Sequence, residues 1–100
     1  MDFKYPVINT YEVGQRIREL RMQNHLSVEM LSYYMGFESV QAIYKWQRGE
    51  SLPTVDNLYA LSKVLGTTME YILEGNREFE DDEMSSSSFF VLFLKNIGNV

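Results

Sequence analysis

The sequence predicts an all-α fold, a bundle of five short helices between residues 10 and 75. Three observations carry this prediction. Apolar residues recur at three- and four-residue spacing, capping residue types open the periodic stretches, and a glycine closes four of them. The segments between them are short, so neighbouring helices must pack on one another.

Thr10 is the expected N-cap of the first helix. Val13, Ile17 and Leu20 give its apolar face, with Arg16, Arg18, Glu19 and Arg21 outward or flanking, and it frays near Asn24. Ser27 caps the second helix, whose inward residues are Leu31 and Met35. Gly36 follows, where the backbone can turn left-handed most cheaply. Ser39 is the expected N-cap of the third helix, which runs to about Arg48 and stops at Gly49. Pro53 and Thr54 open the fourth. Val55, Leu58, Leu61, Val64 and Leu65 line its apolar face before Gly66. Thr67-Thr68-Met69-Glu70 reads as a capping box for the fifth, followed by Tyr71, Ile72 and Leu73 and closed by Gly75.

Composition narrows the class further. The 100 residues are 45% hydrophobic and 14% aromatic, which excludes a disordered chain. There is no cysteine, so disulfides and Cys-based zinc sites are excluded. Asp2, Lys4 and Pro6 precede any apolar run, unlike a signal peptide, and Phe89 to Leu94 is too short to span a bilayer. A cytoplasmic protein without membrane association is expected. The net charge is −5, which at first argues against a nucleic-acid partner. Residues 1–73 nevertheless carry seven Lys/Arg against eight Asp/Glu, so most of the acidity lies in the last 27 residues.

The third helix has two faces. Gln41, Tyr44, Lys45 and Arg48 fall at i, i+3, i+4 and i+7 on one stripe, while Ala42, Ile43 and Trp46 turn toward the core. An amide can pair bidentately with an adenine edge, and Lys or Arg can reach guanine or phosphate. A tyrosine can meet a sugar, a thymine methyl group or a phosphate. Taken alone, the stripe fits a solvated polar helix face equally well.

The wider pattern is more specific. Ile17-Arg18-Glu19-Leu20-Arg21, Leu26-Ser27, Leu31, Met35-Gly36 and Ile43 to Gly49 occur in order. Leu52-Pro53, Leu58, Ala60-Leu61, Leu65-Gly66 and Ile72-Leu73 follow. From about Val13 to Leu73 the chain resembles the XRE family, the Cro and lambda-repressor type of helix-turn-helix regulator. The resemblance implies a five-helix lambda-repressor-like DNA-binding bundle over residues 10–75, with the reading helix at 39–48. Val40, Gln41, Tyr44 and Lys45 would lie nearest the bases. It also implies a homodimer on double-stranded DNA, with half-sites about 34 Å apart. Backbone amides at Ser27 and Val28, opening the second helix, should meet a phosphate. Arg16, Arg18, Arg48 and Ser51 are further phosphate candidates; a solvated surface position is an equal alternative for Arg18 and Arg48 and the favoured one for Arg16 and Ser51. The chain departs from the family at Val28, where Gln is common, at Glu50, where Lys is frequent, and at Gln47. Gln47 replaces a Glu that pairs with the arginine at position 21. The turn from Gly36 to Trp46 is about one residue longer than usual. These departures predict modest, salt-sensitive affinity for a lone domain.

Other features read as structural. Trp46 belongs to the core, and so does Tyr34. Met30 and Tyr33 could be core or part of a protein contact. His25, the only histidine, lies between helices without a second ligand or a nucleophile near it in sequence. Residues 1–9 form an N-terminal arm and 76–88 an acidic, Ser-rich linker. In the apolar segment 89–100, Phe89 to Leu94 could pair as a strand with the arm, dimerise the protein by strand pairing, or fold back as a helix. Dimerisation is the reading favoured, and the same tail could take a protein partner. Two functions compete: a sequence-specific DNA-binding transcriptional regulator, expected to be a repressor, and an antirepressor- or antitoxin-like interaction module that keeps the fold without strong DNA binding. No nucleophile–base pair, metal cluster or phosphate loop is visible in the sequence, so no enzyme, metal or cofactor is expected.

Overall fold

The computed structural model describes residues 3–75, and the linker and apolar segment read from the sequence at 76–100 lie outside them. Five helices follow one another: α1 (Thr10–Gln23), α2 (Val28–Met35), α3 (Gln41–Gln47), α4 (Val55–Val64) and α5 (Met69–Glu74). The arm from Phe3 to Asn9 is non-helical and exposed. None of the described helices is long and apolar enough to cross a membrane.

The helix starts follow the capping chemistry with one-residue adjustments. Asn9, not Thr10, caps α1, its side chain accepting from the Glu12 amide at 3.0 Å. Ser27 caps α2 as expected, accepting from Met30 N–H at 3.0 Å. At α3 the cap position is Val40, which makes no side-chain cap bond; the Ser39 hydroxyl accepts from the Gln41 amide at 3.4 Å, and the Ser39 carbonyl accepts from the Ser32 hydroxyl at 2.8 Å. Thr68, not Thr67, caps α5 through the Tyr71 amide. At α1 and α5 the cap moves to the neighbouring residue, Asn9 or Thr68, whose extended backbone meets the helix entry.

α1 closes with Leu26 N–H bonded to the Arg21 carbonyl and His25 in the left-handed region at φ 57°. The single histidine is therefore a chain-reversal residue. Gly36 does the same for α2, at φ 76°.

Val13, Ile17, Val28, Leu31, Ile43, Trp46, Leu58, Leu61, Leu65 and Ile72 form the buried core. Phe37 meets Trp46 edge-on, with ring centroids 5.7 Å apart. Tyr34 corrects the expectation. It is 57% exposed, because α2 turns Leu31 and Ser32 inward and leaves Met30, Tyr33 and Tyr34 outside.

Candidate nucleic-acid interface

α3 is positioned from behind by α1, backbone against backbone. A Cβ built on Gly14 would stand 2.2 Å from the Trp46 carbonyl oxygen and 2.8 Å from that of Gln47. A Cβ on Gly49 would come within 2.9 Å of Tyr11 Cα. Only glycine allows these two helices to lie so close. A glycine inside an otherwise periodic helix signals close approach, so Gly14 was legible as a positioning residue and was missed.

Side-chain bonds complete the clamp. Arg21 Nε donates to Gln47 Oε1 at 3.0 Å, and its Nη1 donates to the Leu26 carbonyl at 2.7 Å. Gln47 thus accepts a bond from Arg21 where the family's Glu would add a second charge. Gln15 Nε2 donates to the Gln47 carbonyl at 3.4 Å.

With Ile43, Trp46 and Gln47 buried, Gln41, Tyr44, Lys45 and Arg48 are all exposed on the opposite side of α3. The four therefore form the outward stripe that their spacing predicts. Val40 stands at the N-terminal edge of this face, half-buried and packed on the core. At the start of α2, Ser27 is exposed and its hydroxyl is engaged by Met30 N–H. Helix geometry leaves the first-turn amides, Val28 among them, without intrahelical acceptors. The Val28 side chain itself is buried, so this residue can offer a ligand only its backbone. Arg18 and Ser51 are exposed.

Arg16 departs from its expected place. Its Nε and Nη2 donate to the carbonyls of Ile72 and Leu73, both at 2.8 Å, and its side chain is only 15% exposed. The guanidinium caps the C-terminal end of α5, where carbonyls lack helical partners and the dipole is negative. It clamps α1 to α5, with Nε and Nη2 engaged inside the fold.

Arg48 is paired. Its guanidinium donates to both carboxylate oxygens of Glu50, through Nε and through Nη2, the latter at 3.3 Å. The hydrogen bond to Arg48 holds the Glu50 carboxyl below the usual range, with Coulombic support from Arg48 and Lys45. The same bond pushes the Arg48 guanidinium further up.

Two short helices, α2 and α3, joined by a tight turn, with the second presenting polar side chains outward and clamped from behind, define a helix-turn-helix DNA-binding class of domain. Residues 17–72 match the Helix-turn-helix family, and the chain belongs to it. It is 38% identical to repressor protein C2 of Salmonella phage P22 over 69 residues, 69% of this chain and 32% of that protein. It is 36% identical over 66 residues to the transcriptional regulator DicA of Escherichia coli K12, spanning 66% of this chain and 48% of the relative. The chain thus spans about a third to a half of the length of these relatives. Among solved structures, the P22 c2 repressor bound to a synthetic operator superposes with a TM-score of 0.60 at 38% identity, covering 63% of this chain and 94% of that one.

Proposed function

We propose that the protein is a transcriptional repressor that binds double-stranded DNA, with α3 in the major groove. The carrying observation is the exposed stripe Gln41, Tyr44, Lys45 and Arg48 on a helix whose opposite face is fixed to α1. Val40, Gln41, Tyr44 and Lys45 read base edges. Gln41 suits adenine, Lys45 suits guanine, and Val40 and Tyr44 suit thymine methyl groups and sugars. The amides opening α2 at Ser27 and Val28 face one phosphate, and Arg18, Arg48 and Ser51 face others. The likeness to an operator-bound repressor supports this reading. A cytoplasmic homodimer acting on two half-sites about 34 Å apart follows from the same reading.

Selection of bound sequences from random DNA, followed by titration across salt concentrations, tests it. An enriched motif is expected, with affinity that falls as salt rises and drops on Lys45→Ala and Gln41→Ala. Absence of salt-dependent binding, or indifference to both substitutions, refutes it and favours the interaction-module reading.

A further inference from the structure

Glu50 stands just past the stripe, one residue beyond Gly49. Its amide donates to the Lys45 carbonyl at 2.9 Å, so the main chain itself fixes this residue beside the end of α3. Its carboxylate then takes the guanidinium of Arg48 as a fork, from Nε and Nη2. A phosphodiester presents the same kind of paired oxygens to an arginine. The carboxylate therefore occupies one of the donor forks that a DNA phosphate would use. Both side chains remain about half exposed, at 54% and 51%, so the pair is open to competition from a phosphate approaching α3.

We propose that Glu50 is a built-in counter-anion, which holds Arg48 in the free protein so that every DNA phosphate must compete for it. This rests on the reading of α3 as the DNA-facing helix. The device is blind to sequence, because it acts on a phosphate contact and not on a base edge. It lowers affinity for all duplex DNA alike and leaves discrimination to the base-facing residues. A solvent-exposed pair is worth little energy. Its clearest effect is on charge count: Arg48 and Glu50 together present no net charge to the DNA.

The experiment compares the full chain with E50Q, R48A and R48A/E50Q by fluorescence anisotropy. Two 30-base-pair duplexes are used, one selected from random DNA and one of mixed sequence, between 50 and 200 mM salt. E50Q is expected to bind both duplexes more tightly, by the same factor. Its plot of log affinity against log salt should steepen by about 0.9 per protomer, an extra loss of about 3.5-fold across that salt range. R48A should weaken binding to both duplexes alike, because it removes a proposed phosphate contact and leaves the Glu50 charge unneutralised, and the gain from E50Q should be smaller in that background. Equal slopes overturn the proposal. So does a gain of undiminished size in the R48A background, which would mark simple repulsion between Glu50 and phosphate, or a gain confined to the selected duplex. In each of those cases the parent still binds, and the DNA-binding reading stands. Failure of the parent and E50Q to bind either duplex removes both.

Discussion

Gly14→Ala tests the positioning of α3 most directly, because two effects of opposite sign compete. In an unobstructed helix interior, replacing glycine by alanine stabilises by about 1 kcal/mol. Here the new methyl group would sit 2.2 Å from the Trp46 oxygen, 2.8 Å from the Gln47 oxygen and 2.9 Å from the Gln47 carbonyl carbon. Carbon–oxygen contacts settle near 3.3 Å, so α3 must retreat from α1 by about 1 Å. The obstructing atoms are backbone, and no rotamer change can relieve them. Overpacking of this kind costs about 3 kcal/mol, the upper end of its ordinary range. The net expectation is destabilisation by about 2 kcal/mol, or a fall in Tm of about 8–16 °C for a domain of this size. Gly36→Ala is the control: its φ of 76° is strained for alanine, yet nothing lies within 4 Å of the added Cβ. That strain alone costs roughly 1 kcal/mol. Urea and thermal unfolding of the full chain measure both variants. A Gly14→Ala protein as stable as the parent, or more stable than Gly36→Ala, would show that α1 and α3 are not in backbone contact.

Three further outcomes follow from particular contacts. Arg16→Ala should lose about 2 kcal/mol through the two carbonyl bonds to α5, with Arg16→Lys unable to restore the fork, while the salt slope of DNA binding stays unchanged. A slope lower by about 0.9 per protomer would instead return Arg16 to the phosphate contacts. Gln47→Glu should stabilise by about 1 kcal/mol at neutral pH by giving Arg21 a charged acceptor, and chemical denaturation at pH 7 decides the sign. The Thr54 hydroxyl, and then the Asn57 amide, hold the Asp56 carboxyl below its ordinary value of 3.8. Because this pKa is lowered on folding, its stabilisation is present above the ordinary value and lost as pH falls through the lowered one. Carbon-detected NMR titration should show the Asp56 midpoint moving up toward the ordinary value in Thr54→Val.

The helices and the stripe were legible because they rest on local rules. The apolar periodicity of Val13 and Ile17, and of Leu58, Leu61 and Leu65, is a property of neighbouring residues, and so is the spacing of Gln41, Tyr44, Lys45 and Arg48. Caps were legible to within one residue, since Asn9 and Thr10, or Thr67 and Thr68, offer similar side-chain acceptors and only the backbone dihedrals choose between them. Arg16 was not legible. Its partners are main-chain carbonyls 56 and 57 residues away, and carbonyls have no sequence signature. Tyr34 misled because apolar character was taken as burial. On α2 the inward position goes instead to Ser32, a small residue whose buried hydroxyl is satisfied by the Ser39 carbonyl. The pairing of Arg48 with Glu50 was half legible, as an anion out of place in the family pattern, but its partner required coordinates.

The near-neutral charge of this domain has a structural resolution that also limits how it can bind DNA. The cations are not equally available. Arg16 is turned onto α5, Arg21 is engaged by Gln47 and Leu26, and Lys63 lies over the Tyr59 ring at 5.0 Å. Arg48 is neutralised by Glu50. Of the stripe and its surroundings, Arg18 and Lys45 are left as exposed, unneutralised side chains for the duplex of the proposed reading. A dimer would then neutralise roughly four phosphates, giving a salt slope of about −3.6. Such a protein is held only weakly by DNA in general. On the reading proposed above, its useful affinity comes from uncharged groups: the α2 amides facing phosphate, and Gln41 and Tyr44 facing the base edges. Those contacts demand correct placement far more than charge does. The backbone contact of Gly14 with α3, which sets how that helix is held, would on this reading bear on recognition as directly as any residue of the exposed stripe.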